Sequence, residues 1–406
     1  MSLLRPSTLV HSNTAGHLNR PGDGRISASI LILRARKLLV ISEHLNTGEV
    51  QSPTVARWPV KQRHGIRRPM KKLFALVLSV AALAPFTAQS QQPPGTLAGF
   101  LSGQGLVGVK LERRYGNHLF VLSSINNKRA ALMIDTGAPV TIIDKNSAGT
   151  FGLNVENTTI NVGRVFGRRW ERYGVSVAKS IALGNCVVTN VPVALADTSD
   201  MNADGPGAAT GTHISAVNRL ARLNGLLGAR EMSKFGMIID CARQMLYINP
   251  NGPSGSASQK VASFLSGRGF TRIPMRLNSG NHLEVPVVLN GHPTRMIVDT
   301  GAAVTTVDKT MASQAGVAIA GTQFVEDAGE GRIEHLGSGD IKEMTIGDFT
   351  ILKASVSVVN LSGEMLHSKS AEESNSGLFG AEYLAWSFAV IDVGGMALYL
   401  RHPDSR

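Results

Sequence analysis

The chain carries one short motif twice, and each copy places an aspartate directly after a run of apolar residues. The copies are Leu132–Ala138 and Met296–Ala302, and both read apolar-apolar-apolar-Asp-Thr-Gly-Ala. Two carboxyl groups held about 3 Å apart cannot both ionise easily, so they share one proton. The charged member can act as a base towards water while the protonated member donates to a substrate oxygen. Asp135 and Asp299 are therefore candidates for paired acid–base chemistry, provided that the fold brings them face to face.

The motif belongs to a longer internal repeat. Each aspartate is preceded by a predicted hairpin turn, Asn126–Asn127 or Asn290–Gly291, whose residues tolerate the positive φ of a two-residue loop. Each is followed by a Gly-Leu-Leu-Gly or Gly-Leu-Phe-Gly element, at 225–228 and 377–380. The spacing slips once, at a longer Asp-, Gly- and Ala-rich loop near 197–211 of the first half. The repeat predicts two similar lobes with one Asp-Thr-Gly loop each.

The apolar runs are short, rich in β-branched residues and separated by Gly, Asn and Asp, which predicts a mostly β structure. Helices are expected only as short elements, with Asp144 and Asp308 as N-caps after the two motifs. The stretch near 250–258 has the composition of a linker. We expect a first lobe at 91–250, a linker at 251–260 and a second lobe at 261–406.

Two Asp-Thr-Gly loops, each with a matching apolar-apolar-Gly element, resemble the aspartic protease superfamily, and in particular bacterial two-domain retropepsin-like chains. The resemblance covers roughly residues 105–402. It implies two retropepsin-like acid-protease lobes of the closed β-barrel type, related by a pseudo-two-fold axis. It further implies an endopeptidase whose catalytic residues are Asp135 and Asp299, with Thr136 and Thr300 hydrogen-bonded across the lobe interface.

The residues after each Asp-Thr define the expected support of the loops. Gly137 and Gly301 are expected to let each loop turn sharply and approach its twin closely. Pepsin-like enzymes usually have Ser or Thr after Asp-Thr-Gly, hydrogen-bonded to the catalytic carboxylate, whereas this chain has Ala138 and Ala302. This difference favours the retropepsin branch and implies a different support of the carboxylates. The two Gly-Leu-Leu/Phe-Gly elements are expected to pack behind the loops.

A flap that covers the substrate is expected in the first lobe. The resemblance places this β-hairpin within 159–179, where Trp170 and Tyr173 lie. The equivalent positions of the second half, Glu334 and Gly337, carry no aromatic ring. These residues predict one aromatic flap. The alternative is that both rings are ordinary packing residues of a hairpin.

Residues 1–90 differ in charge from the rest of the chain. They hold 13 Lys and Arg against 3 Asp and Glu, while the remainder holds 28 against 26. The formal net charge of +12 is therefore almost all in this segment, and no basic face for nucleic acid is expected elsewhere.

Within that segment, residues 70–90 combine two lysines, a twelve-residue apolar run and an Ala-Gln-Ser site, the pattern of a secretory signal peptide. The apolar run is too short to span a bilayer, so no stable membrane insertion is expected after cleavage. We expect an exported protein, periplasmic or secreted, translated from Met70, with 1–69 a non-native or disordered leader. A short membrane anchor and a genuine basic leader remain alternatives.

Cys186 and Cys241 both lie in the first half of the chain. An exported protein could oxidise them to a disulfide. Their repeat counterparts are Phe349 and Val393, so two small buried apolar residues are the alternative. Two cysteines without clustered histidines argue against a zinc site, and neither a metal nor another cofactor is expected.

The expected partner is a protein or peptide substrate, and the expected state is a monomer with an intramolecular dyad. Pairing of lobes between two chains is one alternative. A catalytically silent peptide-binding module of the envelope is another. Asp240 and Asp392 also occupy equivalent positions of the repeat, but they lie on predicted hairpin strands and are expected to be structural.

Overall fold

A computed structural model describes residues 56–57, 95–114, 117–154, 156–161, 172–198, 223–321, 324–328, 331–360 and 377–403. All of them belong to the unit Ser52–Arg406. Apart from 56–57, the leader and signal peptide expected from the sequence lie outside the described residues.

The described part of the chain is mostly β, as predicted. The strands of the first half are β1 Ala56–Arg57, β2 Val107–Lys110, β3 Glu112–Arg113, β4 Leu119–Ile125, β5 Lys128–Ile134, β6 Ile142–Asp144, β7 Glu156–Asn161, β8 Arg172–Leu183, β9 Cys186–Ala196, β10 Gly225–Leu227, β11 Ile238–Asp240 and β12 Met245–Ile248. Those of the second half are β13 Thr271–Pro274, β14 Arg276–Leu277, β15 Leu283–Leu289, β16 His292–Val298, β17 Thr306–Asp308, β18 Ile319–Ala320, β19 Phe324–Ala328, β20 Gly331–Ile346, β21 Phe349–Asn360, β22 Gly377–Phe379, β23 Val390–Asp392 and β24 Ala397–Leu400.

The helices are short. They are α1 Leu97–Gly103, α2 Ala229–Lys234, α3 Gly255–Ser266, α4 Lys309–Gln314 and α5 Ala381–Trp386, with one 3-10 turn at Lys145–Ser147. The predicted N-caps are confirmed, because the Asp144 and Asp308 carboxylates accept hydrogen bonds from the N–H groups of Asn146 and Thr310 at 3.3 and 2.8 Å. None of the described helices is long and apolar enough to cross a membrane.

Each half of the chain builds a closed six-stranded barrel. In the first lobe, strands β9, β6, β10, β5, β4 and β8 pair in that order, and β8 pairs back with β9. In the second lobe, the ring is β21, β17, β22, β16, β15 and β20, closed by the pairing of β20 with β21. Both rings include parallel and antiparallel neighbours in matching places. The prediction of two acid-protease lobes is confirmed.

The hairpin turns set the register of the strands that carry the aspartates. Asn126 and Asn127 have φ of 47° and 65°, and Asn290 and Gly291 have φ of 48° and 85°. These positive values are those of a two-residue hairpin loop, which Asn and Gly adopt at low cost. The two predicted turns therefore join β4 to β5 and β15 to β16, and the two strands end at equivalent points.

A third sheet joins the two lobes. Its six strands run in the order β13, β24, β23, β11, β12, β2, so that three come from each half. At its centre β11 pairs antiparallel with β23, and Ile239 lies opposite Ile391. The order reads the same from either edge, which places the pseudo-two-fold axis at this pair. Asp240 and Asp392 lie at the ends of these strands and cap the following turns, where they accept the N–H groups of Arg243 and Gly395 at 2.9 and 2.7 Å.

Two helices cover this interlobe sheet and differ from the sequence prediction. Residues 255–260, assigned to a linker by composition, form the first half of α3, because Ser254 caps it and the residues from Val261 onward are anchored in a buried cluster. Its partner α1 precedes residue 105, where the predicted resemblance to the family begins. The Phe100 and Phe264 rings stack with centroids 4.2 Å apart. The repeat in fact starts here, since 100–103 and 264–267 both read Phe-Leu-Ser-Gly.

Cys186 and Cys241 are two buried thiols rather than a disulfide. Their repeat counterparts Phe349 and Val393 are also buried, so the alternative of small core residues describes these positions. Burial raises the pKa of the Cys241 thiol to about 12, which keeps it protonated at physiological pH.

Truncation of the α1 core should destabilise the protein. Leu101 is fully buried in the cluster that joins α1, α3 and the interlobe sheet. Leu101→Ala is expected to lower the free energy of unfolding by about 2–4 kcal/mol, because it removes buried methyl groups and leaves a cavity. Urea unfolding measures this change. Leu122→Ala, at a leucine that is 50% exposed, is the control and should cost less than about 1 kcal/mol. Equal small losses would mean that α1 is not part of the folded core.

Candidate active site

The two candidate aspartates lie directly after β5 and β16 and are held by their backbones. The N–H of Asp135 donates to the Leu227 carbonyl at 3.1 Å, and the N–H of Asp299 donates to the Phe379 carbonyl at 3.0 Å. Leu227 and Phe379 belong to the two Gly-Leu-Leu/Phe-Gly elements, which form β10 and β22 beside the aspartate strands. These elements therefore lie behind the loops, as the sequence predicted.

Glycine begins each of these elements because the neighbouring backbone leaves no room for a side chain. A Cβ atom on Gly225 would overlap the carbonyl of Ile142, and one on Gly377 would overlap the carbonyl of Thr306. The second glycine of each element is similarly crowded by the backbone that follows the Asp-Thr-Gly loop. Strands β10 and β22 can therefore insert between their two neighbours only with glycine at these positions.

The threonines of the two loops exchange hydrogen bonds across the lobe interface. The Thr136 hydroxyl donates to the Val298 carbonyl at 2.7 Å and accepts the Thr300 N–H at 3.0 Å. Reciprocally, the Thr300 hydroxyl donates to the Ile134 carbonyl at 2.7 Å and accepts the Thr136 N–H at 3.0 Å. All four bonds are buried, so each hydroxyl holds the strand end that leads to the opposite aspartate. The structure thus contains the cross-lobe bonds that the resemblance implied.

One oxygen of each carboxyl group, Oδ1, is held by the backbone of its own loop. Oδ1 of Asp135 accepts the N–H groups of Gly137 and Ala138, both at 2.9 Å. The same two backbone groups of the second loop donate to Oδ1 of Asp299 at 2.8 and 3.1 Å. The residue after Asp-Thr-Gly therefore supports the carboxyl group through its backbone N–H, which explains how alanine serves at both positions.

The two carboxyl groups face each other. They lie within hydrogen-bonding reach of one another, and only 7% of Asp135 and 9% of Asp299 is exposed. A Cβ atom on Gly137 would overlap the Asp299 carboxyl group, and one on Gly301 would lie 2.6 Å from the Asp135 carboxyl group. These glycines are therefore required because each loop must admit the opposite carboxyl group.

Burial sets the charge of this pair. Desolvation raises the pKa of both carboxyl groups, and repulsion by Asp299 raises the pKa of Asp135 well above its usual range. The pKa of Asp299 is raised less, because the Gly301 N–H, the Asp135 carboxyl group and two histidines favour its charged form. The pair therefore favours a state with one proton that the two carboxyl groups share. The titration belongs to the pair rather than to either residue alone.

A second layer of polar contacts supports the loops and was not predicted from the sequence. The Thr141 N–H and hydroxyl donate to the Glu231 carboxylate at 2.9 and 2.6 Å, and the same hydroxyl accepts the Gly228 N–H at 3.2 Å. In the second lobe, the Thr305 N–H donates to Glu382. The sequence contained a sign of the threonines, since each lies six residues after its aspartate. It contained no sign of the glutamates, because Glu231 lies three residues after Gly228 whereas Glu382 lies two residues after Gly380.

The expected flap region is a hairpin, and only part of it is described. Strands β7 and β8 pair antiparallel, with Ile160 opposite Tyr173, so Tyr173 lies on a hairpin strand. Trp170 lies outside the described residues. In the second lobe β19 and β20 form the corresponding hairpin. The role of Trp170 and Tyr173 in covering a substrate stays a prediction.

Within the described ranges, no group of three or more His, Cys, Asp or Glu side chains is placed so that it could hold a metal ion. A metal-independent, cofactor-free site remains the prediction from the sequence.

Comparisons with known proteins bear on both lobes. A family model described as "gag-polyprotein putative aspartyl protease" matches residues 121–204 and 285–384, one match around each Asp-Thr-Gly loop. Among solved structures, the crystal structure of an aspartic proteinase from Irpex lacteus is similar, with 13% sequence identity and a TM-score of 0.44. That similarity covers 74% of this chain and 98% of the other. No curated protein matches the chain.

Replacement of Asp135 by asparagine should stabilise the fold at neutral pH, because the pKa of this carboxyl group is raised. With a raised folded pKa, the stability from protonated Asp135 is fully present below the unfolded pKa of about 4 and is lost as the pH rises towards the folded value. Asp135→Asn imitates the protonated group and keeps an oxygen for the two loop N–H groups. Its free energy of unfolding should exceed that of the wild type near pH 7 and match it near pH 4.

Urea unfolding at several pH values measures this difference. Asp348→Asn, at an exposed turn, is the control and should show no such pH dependence. A constant difference between Asp135→Asn and the wild type at all pH values would contradict a raised pKa at this site.

Proposed function

We propose that the chain is an endopeptidase of the aspartic protease type, related to the retropepsins and pepsins, with Asp135 and Asp299 as its catalytic residues; the family-model matches around both Asp-Thr-Gly loops support this proposal. The observation that carries this proposal is the pair of facing, buried carboxyl groups, one from each lobe. The two loops that carry these carboxyl groups are joined by reciprocal hydrogen bonds between Thr136 and Thr300. Both carboxyl groups are supplied by one chain, which supports a monomer with an intramolecular dyad.

The proposed reaction uses the single proton of the pair. Asp299, whose charged form is favoured, acts as the base towards a water molecule held between the carboxyl groups. Asp135 donates its proton to the carbonyl oxygen of the scissile peptide as the water attacks. The proton taken up by Asp299 then passes to the leaving nitrogen as the C–N bond breaks, and Asp135 takes a proton back from a hydroxyl of the diol, which becomes the new carboxyl group. Backbone N–H groups hold both carboxyl groups in place, so little reorganisation is needed during the reaction.

The proposed substrate is a protein or peptide that lies between the lobes over the dyad. The β7–β8 hairpin of the first lobe is proposed to cover it, with Trp170 and Tyr173 as the flap candidates. Exclusion of water by such a cover strengthens the electrostatic interactions at the reacting groups.

Cleavage of a diverse peptide library between about pH 3 and pH 8 tests the proposal. The wild type should cleave peptides, and Asp135→Asn or Asp299→Asn should each lower turnover by roughly 10²–10⁴-fold, because either change removes the acid or the base. Asp348→Asn is the surface control and should keep full activity. Peptide binding without cleavage by the folded wild type would instead favour the silent peptide-binding module.

Mixing the two inactive variants tests where the dyad forms. If each dyad forms within one chain, an equimolar mixture of Asp135→Asn and Asp299→Asn stays inactive. Recovery of activity on mixing would contradict the intramolecular dyad and would show that lobes pair between chains.

We also propose that residues 70–90 direct export. The basic residues, short apolar run and small-residue site of this segment support that proposal. N-terminal sequencing of the protein isolated from cells should find a start near Gln91. A protein that retains the apolar run in the cytoplasm would contradict it.

A further inference from the structure

One histidine from each lobe lies near the dyad and has no part in the reaction proposed above. His118 and His282 occupy equivalent positions, 17 residues before Asp135 and Asp299, in a repeated Gly-Asn-His-Leu sequence. Both favour the charged form of Asp299. His118 is fully buried, whereas His282 is partly exposed. His282 is therefore the member of the pair that can exchange a proton with solvent most readily.

His282 reaches across the lobe interface to the opposite catalytic loop. Its Nδ1 lies 2.7 Å from the carbonyl oxygen of Gly137, two residues after Asp135. A carbonyl oxygen only accepts hydrogen bonds, so Nδ1 must carry the hydrogen and donate it. The lone pair of the neutral ring is then on Nε2. The ring can take up a second proton there without losing its bond to Gly137.

Asp299 is the acidic group near His282 whose charge is not already neutralised by cations. The carboxylates that act on this ring are Asp299 and Glu284. Glu284 is fully buried and forms ion pairs with Arg276, at 2.5 Å, and with Arg295. Its charge is therefore largely balanced. Burial lowers the pKa of His282, while the Gly137 bond and the two carboxylates oppose this change, so the imidazolium forms on the acidic side of neutrality.

We propose that His282 is a positioning residue that ties the second lobe to the Gly137 carbonyl and, as an imidazolium, keeps the dyad from taking up a second proton in acid. A dyad with two protons has no base and cannot activate water. The positive ring beside Asp299 opposes that second protonation, since it favours the carboxylate. His282 thereby extends the activity of the dyad to lower pH. This inference rests on the proposed endopeptidase activity.

The pH profile of kcat/KM separates the two roles of His282. His282→Asn places an amide N–H near the position of Nδ1, so it keeps a donor to Gly137 but carries no charge. His282→Leu removes both donor and charge. In each variant the acidic limb of the profile should move up by roughly 0.5–1 pH unit. At the optimum, His282→Asn should keep kcat within about twofold of the wild type. His282→Leu should lower kcat further, because only leucine also removes the hydrogen bond to the Gly137 carbonyl.

His292→Gln is the matched control, because His292 is an exposed histidine at the start of β16. It should leave both the acidic limb and kcat unchanged. An unshifted acidic limb in His282→Asn would overturn the proposed role of the charge. A uniform loss of activity in both His282 variants, with no shift of the limb, would reduce His282 to a structural contact.

A measurement without catalysis distinguishes failure of this inference from failure of the proposed function. Coupling between two protonation sites is reciprocal. The NMR titration of His282 should therefore move to lower pH in Asp299→Asn, by about the same 0.5–1 pH unit. An inactive wild type with this shift would refute the endopeptidase but keep the coupling. An unchanged titration of His282 would overturn the coupling even in an active enzyme.

Discussion

The reciprocal hydrogen bonds between Thr136 and Thr300 hold together two loops whose carboxyl groups repel each other. Each aspartate is more than nine-tenths buried, so both desolvation and mutual repulsion oppose the charged pair. The threonine bonds resist separation at the dyad, and the six-stranded interlobe sheet resists it farther away. The shared proton is a consequence of this clamping, because two carboxyl groups that were free to separate would each keep an ordinary pKa.

The sequence predicted those parts of the fold and the site that local chemistry specifies. The Asn-Asn and Asn-Gly turns need positive φ, and the Asp144 and Asp308 caps need only a neighbouring N–H, so their roles follow from a few residues. The facing of Asp135 and Asp299 was predictable for another reason. The repeat supplies two equivalent Asp-Thr-Gly loops, and the resemblance to the aspartic proteases implies that such loops meet at the lobe interface.

Features that depend on distant residues were missed or misjudged. Composition made 255–260 a linker, although contacts of α3 with α1 and the interlobe sheet make these residues helical. Glu231 and Glu382 support equivalent threonines from positions that differ by one along their helices, so no alignment of the repeat could pair them. The bond between His282 and Gly137 joins two lobes, and neither local sequence contains a sign of it.

The ion-paired Glu284 bears on the direction in which the proposed peptide substrate would bind between the lobes. Its counterpart in the first lobe is Phe120, a buried ring in an apolar cluster, so the two barrels match in backbone but differ in charge beside the dyad. A strictly symmetric pair of lobes would present identical half-sites, and a bound peptide could lie in either direction with equal energy. Two unlike half-sites make those orientations different in energy, so the protein would select the N-to-C polarity of the proposed peptide substrate.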